Sequence, residues 1–310
     1  MDIKGFGRTT PDTTDPTQRE KAELFRRLHA EGDMLVLPNV WDVGSAALLA
    51  RLPGVRAVAT TSAGVAGALG VPDGEHLDFD QMLAVVSRLI QAVSVPVSVD
   101  LEAGYGATPQ YVADAVAAMI EAGAVGVNLE DGLSSNTDRL MEPEFHAERV
   151  AAACSVGAQV GLPLVVNART DTYWRSTGAR ESRFDETVRR LRTYHDAGAD
   201  CLFVPAFPPS GLEPARQREL IGELVAALDG APLNLLARPD LPSVPELRRL
   251  GVRRLSVGSA LYRLSMATAR DAFADLLNSG RQEALRGADD LTYQDLLDAL
   301  PEPEQRCGRG

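Results

Sequence analysis

The stretch Val95–Gly106, which reads VPVSVDLEAGYG, decides the fold. Its apolar, β-branched beginning is typical of a buried strand, and it ends abruptly in two carboxylates and a glycine turn. A second run of the same kind, Val125–Gly132, ends in the acidic sequence NLEDG. Buried carboxylates are costly unless something compensates them, and the usual compensators are a divalent cation or a proton-transfer role. The two stretches therefore predict a hard-metal site at the mouth of a parallel α/β fold.

Short apolar runs alternate with amphipathic runs of helical periodicity along most of the chain. We predict strands over residues 34–37, 57–61, 95–99, 126–129, 164–167, 201–204, 233–236 and 254–257. Helices are predicted over residues 79–93, 108–122, 144–156, 184–197, 213–228 and 260–277. Repeated βα units favour a (β/α)8 barrel with additional C-terminal helices. The alternative, an open doubly wound sheet, is disfavoured because it usually has fewer strands and because no GxGxxG turn follows the first strand.

The chain divides into three predicted parts. Residues 1–19 are polar, and we expect a flexible N-terminal segment there. Residues 20–280 are predicted to form the barrel, which would carry the catalytic site. Residues 281–310 are predicted to form a C-terminal helical segment, with one amphipathic run over residues 293–300, and a disordered tail.

Composition excludes several classes of partner and site. The 310 residues carry a formal net charge of −12, which argues against nucleic acid and anionic membranes as partners. The N-terminus has no apolar signal region, no apolar run is long enough to span a bilayer, and the three cysteines are scattered. We therefore expect a cytoplasmic protein without disulfides. The four histidines belong to no motif, and we expect them on the surface rather than in a zinc site.

Polar groups fall where the predicted strands end, and barrel enzymes place their active sites at that end. Asp100 and Glu102 lie two residues apart and are expected on the same side of the strand end, as ligands for a magnesium-type ion. Arg169 suits a bidentate grip on a carboxylate or phosphate. The small residues Ser62–Gly64 offer backbone N–H groups to an anion. Together they predict an anionic, oxygen-rich small substrate chelated to the metal.

At these positions the sequence resembles the isocitrate lyase/phosphoenolpyruvate mutase superfamily, over roughly residues 20–265. The most specific motif is DLEAGYG at Asp100–Gly106, which is similar to the acidic magnesium-binding strand end of that family. Further motifs match in the same order, namely Pro38–Asp42, Thr61–Gly64, Leu69–Asp73, Asn128–Asp131 and Asn167–Asp171. One motif alone would be weak evidence, but several in order make the resemblance specific.

The resemblance implies a metal ion held by acidic residues. Mg²⁺, replaceable by Mn²⁺, would be bound by Asp100, with Glu102, Asp73 and Glu130 at or just behind it, partly through water. The competing interpretations are structural. Asp73 lies on a loop and by itself would indicate a surface turn, while Glu130 would form a salt bridge.

The resemblance also implies a binding site for a small-molecule 2-oxo acid. Ser62, Ala63 and Gly64 would bind its carboxylate through backbone amides, Arg169 would anchor its anionic end, and Trp41 would form an apolar wall. Two alternatives stay open. Arg169 could pair with neighbouring acids instead of the substrate, and Trp41 could be plain core packing.

Three more residues complete the predicted site. Tyr105 is either a gate over the substrate or a ring packed in the turn, and Asn234 either contacts the substrate or lies on the rim. Arg169, Glu130 and Asn136 are the candidate catalytic residues. Asn136 is included because Asn-Thr at this point faintly resembles the gate of the mutases, although their preceding lysine is absent.

The loop after the fourth strand departs from the lyases of the superfamily. Those enzymes carry a Lys-Lys/Arg-Cys-Gly-His loop whose cysteine donates a proton, whereas Gly132–Leu140 contains no Cys, Lys or His. The resemblance then implies carbon–carbon cleavage or decarboxylation of a small 2-oxo acid, or of a 2-hydroxy or 2-oxo dicarboxylate, through a pyruvate enolate stabilised by the metal. The alternatives are phosphonopyruvate hydrolase or phosphoenolpyruvate mutase chemistry at a P–C bond, and a non-catalytic 2-oxo-acid-binding barrel.

An assembly is also implied by the resemblance. Family members are commonly tetramers that swap their last barrel helix, for which residues 260–277 are the candidate here. We therefore expect a homotetramer or homodimer.

Overall fold

Parallel strands form a nearly closed barrel in the computed structural model, which describes residues 16–133 and 139–300. The strands are β1 (Leu35–Leu37), β2 (Asn39–Val40), β3 (Val58–Thr60), β4 (Val97–Asp100), β5 (Gly126–Glu130), β6 (Val165–Arg169), β7 (Cys201–Val204), β8 (Leu233–Leu236) and β9 (Arg254–Ser256). From β2 onward each strand pairs with the next one, and β9 returns to pair with β1. The predicted (β/α)8 architecture is confirmed.

The first predicted strand, over residues 34–37, matches β1, and Pro38 separates it from a further short strand, β2, because proline has no backbone N–H to give to a ladder hydrogen bond. As a result β1 pairs with β9, whereas β2 pairs with β3. The Asn39 side chain links both neighbours. Its Nδ2 donates to the Thr60 carbonyl at 2.7 Å, and its Oδ1 accepts from the N–H groups of Val257 and Gly258, each at 2.9 Å. Asn39 thus closes the barrel at the carboxyl ends of its strands.

Helices surround the barrel and extend past it. They are α1 (Pro16–Ala30), α2 (Val43–Ala50), α3 (Ser62–Ala68), α4 (Phe79–Gln91), α5 (Pro109–Glu121), α6 (Pro143–Gln159), α7 (Arg183–Asp196), α8 (Pro214–Ala227), α9 (Val244–Arg249), α10 (Ala260–Ser279), a 3₁₀ helix (Glu283–Asp290) and α11 (Tyr293–Ala299). The predicted helices agree with the observed ones to within three residues at each end. The predicted boundary at residue 20 falls inside α1. Within the described ranges, no helix combines the length and the hydropathy of a membrane span.

Helix α1 covers the amino ends of the strands. Its Gln18 Nε2 donates to the carbonyls of Ile120 and Ala124, just before β5, at 2.8 and 3.0 Å. Phe25 packs against Gly126, where a Cβ atom would lie only 2.7 Å from the Phe25 ring. With that end closed, the barrel interior is left open at the carboxyl ends of the strands.

Two of the four histidines are buried, so the expectation that all lie on the surface was wrong for His29 and His146. Each is on a helix face that packs inward, where its ring lies edge-on to an aromatic neighbour, Phe25 and Tyr194 respectively, with centroids 4.6 Å apart. Burial is the main reason that the pKa of each histidine falls to about 3. For His146 the nearby charges of Arg149 and Arg190 add to the effect.

We expect His146 to make the free energy of unfolding depend on pH. Its pKa in the folded chain, about 3, lies below the ordinary 6.5, so below pH 6.5 the unfolded chain takes up a proton that the folded chain excludes. Stability is therefore lost as the pH falls, by about 2 kcal/mol at pH 5. Urea unfolding at pH 7 and pH 5 should show a smaller loss for His146→Phe than for wild type.

Exposed His76 supplies the control. His76→Gln should keep the pH dependence of the wild type. If His146→Phe also loses as much stability between pH 7 and pH 5 as the wild type does, His146 does not carry the effect.

Candidate active site

A cavity of about 630 Å³ opens at the carboxyl ends of the barrel strands. Predicted site residues that line it are Ser62, Ala63, Asp73, Asp100, Glu102, Glu130 and Arg169. They lie at or after the ends of β3, β4, β5 and β6, which the parallel topology brings to the same end of the barrel. The cavity therefore brings four of the predicted carboxylates together with one predicted arginine.

Asp100 is the last residue of β4, and hydrogen bonds fix its carboxylate. Its backbone N–H donates to Thr60 Oγ1 at 2.8 Å. Its Oδ1 accepts from Asn128 Nδ2 at 3.0 Å, and its Oδ2 accepts from the Ser62 N–H at 3.1 Å. The Ser62 amide, which we predicted to bind a substrate carboxylate, is therefore bound to Asp100 here.

Glu102 enters the cavity wall from the turn that follows β4. Its φ of +49° lies in the left-handed region, which is costly for a residue with a side chain and is common at functional sites. Its Oε2 accepts from the N–H groups of Gly74 and Glu75 at 2.9 and 2.7 Å, and the Tyr105 hydroxyl donates to its Oε1 at 3.2 Å. This turn, rather than strand alternation, places Glu102 beside Asp100.

Crowding of carboxylates raises pKa values in the cavity. Burial is the largest cause at Glu102, whose pKa rises to about 8, and the charges of Asp100 and Asp73 add to it. Partial burial of its carboxyl group and the charge of Asp100 also raise the pKa of Asp73, a residue of the exposed loop after α3. A cation placed among these groups would relieve the repulsion.

Arg169, the last residue of β6, lies between two acids. Its Nη1 is 2.8 Å from Glu130 Oε2, and its Nε donates to Asp171 Oδ1 at 2.6 Å. Burial opposes the charge of Arg169, but the charges of Asp171 and Glu130 raise its pKa. Burial raises the pKa of Glu130 well above its ordinary value, although Arg169 works against that. Arg169 therefore both pairs with the neighbouring acids and lines the cavity.

Two predicted substrate contacts, Trp41 and Gly64, are not among the described residues that line the cavity. The Trp41 ring packs edge-on to Tyr262 of α10, with centroids 5.5 Å apart. A Cβ atom at Gly64 would lie 2.9 Å from Trp41 Cβ and 2.6 Å from Thr61 Cγ2, so glycine lets α3 approach Trp41 closely. In this structure both residues support the wall of the site from behind.

Three more predicted residues remain. Tyr105 and Asn234 lie away from the described wall of the cavity, and Asn136 is outside the described residues. Tyr105 is behind Glu102, and its ring packs on Phe79 with centroids 5.4 Å apart. Asn234 is fully buried on β8. Asn136 belongs to residues 134–138, outside the described part of the chain, and its role stays a prediction.

Sequence reasoning missed the deep side of the cavity. Arg254 lines it from β9 and is only 2% exposed; burial lowers its pKa to about 10, so it is charged at neutral pH. Asn128 and Asn167 line it too. Both asparagines interrupt otherwise apolar strands, a signal that was present in the sequence, whereas nothing in the sequence placed Arg254 inside the barrel.

An apolar side of the cavity was also missed. It includes Trp174, Phe203 and Leu236. The guanidinium carbon of Arg169 lies 5.9 Å from the Trp174 ring centroid and 5.8 Å from that of Phe203, which is within cation–π range. The cavity thus offers apolar surface next to Arg169.

The carboxylate oxygens in the cavity are suitable ligands for a hard divalent cation. All four carboxylates supply oxygen, the ligand atom that Mg²⁺ and Mn²⁺ prefer. Among the described residues, no three Asp, Glu, His or Cys side chains are close enough together to hold one ion directly. Mg²⁺ usually takes one or two protein carboxylates and completes its octahedron with water and substrate oxygens. Asp100 as a direct ligand, with Glu102, Asp73 and Glu130 acting through water, fits that pattern.

Comparison with known proteins agrees with this geometry. Residues 25–277 match the phosphoenolpyruvate phosphomutase family. The chain belongs to this family. The resemblance inferred from the strand-end motifs is thereby confirmed.

Three proteins that are similar to this chain carry the names of lyases, mutases or hydrolases. A lyase- or mutase-like protein of Burkholderia cenocepacia J2315 has a solved structure that is 34% identical, with a TM-score of 0.81 over 92% of this chain and 96% of that one. The 2-methylisocitrate lyase of Escherichia coli K12 is 31% identical over 76% of this chain and 77% of its own length. An oxaloacetate acetylhydrolase solved with its product oxalate is 27% identical, with a TM-score of 0.75 over 90% and 93% of the two chains.

We expect Asp100→Ala to abolish binding of oxalate in the presence of Mg²⁺ and to leave the thermal unfolding midpoint nearly unchanged. We expect Asp100 to bind the cation directly, and its removal takes away a charge that its neighbours repel. Calorimetric titration of oxalate with and without Mg²⁺ measures the effect. Asp114→Ala removes an exposed acid on α5 and should bind as the wild type does. Full oxalate binding by Asp100→Ala would refute the assignment.

Proposed function

We propose that this protein is a Mg²⁺-dependent lyase. Its substrate would be a small 2-oxo acid, or a 2-hydroxy or 2-oxo dicarboxylate, cleaved at a carbon–carbon bond or decarboxylated. One observation carries the proposal: four carboxylates and Arg169 converge on one cavity at the carboxyl end of the barrel. The acids suit the cation, and the arginine suits the anionic substrate.

Some residues of the cavity would bind the cation, and Arg169 would bind the anionic substrate. When bound, Mg²⁺ would act as a Lewis acid on the oxygens of the 2-oxo acid and stabilise enolate charge. Asp100 would hold the ion, with Glu102, Asp73 and Glu130 behind it. Arg169 keeps donors for a substrate carboxylate, because its two ion pairs use Nη1 and Nε and a guanidinium has five N–H groups.

No Cys, His or Lys is found among the described residues that line the cavity. The described cysteines, Cys154 and Cys201, are not part of its wall. This favours a reaction that does not use a cysteine as proton donor, in line with the departure in the sequence of the loop over residues 132–140. Glu130 and Arg169 are the candidate catalytic groups that the structure describes.

The same cavity leaves two other candidates. Oxygen donors and an arginine would equally suit cleavage or rearrangement of a P–C bond in a phosphonopyruvate-like substrate. A 2-oxo-acid-binding barrel without turnover is favoured by the shortage of proton donors of the Cys, His or Lys type in the described wall.

Product detection with Mg²⁺ present distinguishes the three candidates. Oxaloacetate, substituted malates and phosphonopyruvate are offered in turn, and pyruvate, oxalate and inorganic phosphate are measured in parallel. We expect pyruvate without phosphate, and loss of product on EDTA treatment and in Asp100→Ala. Oxalate would instead assign hydrolysis of the carbon–carbon bond. Pyruvate with phosphate would instead assign the P–C reaction. Oxalate binding without turnover of any of these compounds would favour the binding protein.

We also propose that a second copy of the chain covers α10. Helix α10 has no buried residue in the described chain, and its apolar side chains Leu264, Met266, Phe273 and Leu277 are 56–71% exposed. An apolar surface of this kind on a long helix suits a subunit interface. Light scattering should give the mass of a dimer or tetramer for wild type and of a monomer for Phe273→Glu. A monomeric wild type would refute this assembly.

A further inference from the structure

A row of buried amides leads through the barrel interior to Asp100. Asn128 Nδ2 donates to Asp100 Oδ1 at 3.0 Å, and Asn128 Oδ1 accepts from Asn167 Nδ2 at 2.7 Å. Asn167 Oδ1 accepts in turn from Asn234 Nδ2 at 3.5 Å, the longest link. These asparagines lie on β5, β6 and β8 and are at most 7% exposed.

The row continues to a buried cation on β9. Ser256 Oγ accepts from Asn234 Nδ2 at 3.1 Å and lies 3.2 Å from Asn234 Oδ1, to which it can donate. Arg254 Nε donates to Ser256 Oγ at 3.1 Å. Arg254 forms no ion pair with any carboxylate in the described part of the chain. Its Nη1 instead lies 3.4 Å from His29 Nε2.

The carboxylate of Asp100 sets the direction of the hydrogen bonds among the asparagines. An arginine can only donate, and an ionised carboxylate can only accept. Asn128 must therefore donate to Asp100 and accept from Asn167, and Asn167 must accept in turn from Asn234. At the other end, Ser256 accepts from Arg254. His29 agrees with this order: its Nδ1 lies 2.8 Å from the Phe25 carbonyl and carries the hydrogen, so Nε2 is free to accept from Arg254.

We propose that Asn128, Asn167 and Asn234 are positioning residues for Asp100. Joined through Ser256 to Arg254, the asparagines form a head-to-tail donor chain that holds Oδ1 of the carboxylate, while the Ser62 amide holds Oδ2. Aligned hydrogen bonds polarise and strengthen one another, so the chain also stabilises the negative charge of Asp100. The inference rests on the proposed Mg²⁺ site and assigns Asn234 a role without contact to the substrate.

Mn²⁺ binding without any organic ligand tests the chain. Free Mn²⁺ is counted from its electron paramagnetic resonance signal while the full-length protein is titrated, and thermal unfolding is recorded for each variant. We expect Asn234→Leu to raise the Kd for Mn²⁺ by about tenfold, the low end of the effect of losing a direct hydrogen-bond partner of a metal ligand, because Asn234 acts on Asp100 through Asn167 and Asn128. Asn234 does not line the cavity, so this effect cannot come from lost contact with the ion.

A smaller substitution tests the same chain of hydrogen bonds in case Asn234→Leu fails to fold. Ser256→Ala deletes one oxygen and interrupts the chain between Arg254 and Asn234. We expect it to raise the Kd for Mn²⁺ by about fivefold, the net worth of one hydrogen bond.

Matched controls separate positioning from general loosening. Ser98→Ala makes the same change at another buried serine of the cavity, whose Oγ has no hydrogen-bond partner among the described residues. Gln217→Leu removes a buried amide far from the site, one that donates to the Leu212 carbonyl. Both should bind Mn²⁺ as the wild type does, even where they lower the unfolding temperature.

Each other outcome overturns the inference, and the outcomes differ in what they leave standing. Wild-type Kd values for Asn234→Leu and Ser256→Ala, together with loss of binding in Asp100→Ala, would refute the donor chain and keep the metal site. If the two control variants bound Mn²⁺ as weakly as Asn234→Leu and Ser256→Ala, lost stability would explain the effect. A wild-type protein that binds no Mn²⁺ would refute both the donor chain and the proposed function.

Discussion

Repulsion among carboxylates at one end of the barrel is the constraint on which the rest of the site depends. Asp73, Asp100, Glu102 and Glu130 line one cavity, and crowding together with burial raises the pKa of Glu102 to about 8. The barrel holds them by giving each acid donors from a different element. Such donors are the Ser62 amide, the amides of residues 74 and 75, and Arg169. A divalent cation would complete this balance, so electrostatics supports the magnesium hypothesis independently of the motifs.

Much of the fold could be predicted because each strand carries its own signal. Apolar runs of four or five residues closed by polar groups located the barrel strands, and helical periodicity located α4 through α8 and α10. The division at Pro38 follows from the missing N–H of proline. The burial of His146 could not be predicted, because it depends on which face of α6 meets Tyr194 of α7. Such contacts join residues far apart in the sequence, and local periodicity does not specify them.

The same distinction, between local sequence signals and contacts of residues far apart in the sequence, applies to the candidate site. Asp100, Glu130 and Arg169 end their strands, and a parallel barrel brings all strand ends together, so topology alone predicts that they meet. The surroundings of Trp41 and Tyr105 were harder to predict. Those of Trp41 depend on Tyr262, and those of Tyr105 depend on the left-handed turn at Glu102. Arg254 was missed because an arginine at the start of a strand is ordinarily exposed. Its burial depends on the folded structure, in which Arg254 Nη1 lies 3.4 Å from His29 Nε2 of α1.

The interior of this barrel departs from the apolar filling that such barrels usually have. Branched apolar side chains dominate those layers, yet asparagines on β5, β6 and β8 face one another here. Replacing such a group of buried amides by apolar residues of the same shape is often neutral or stabilising, so stability alone does not explain them. From Asn234 to Asp100 their hydrogen bonds run in one direction, because the carboxylate can only accept. A polar row that ends on one carboxylate is better explained by the group that it holds in place than by packing, and that group is Asp100, which lines the cavity.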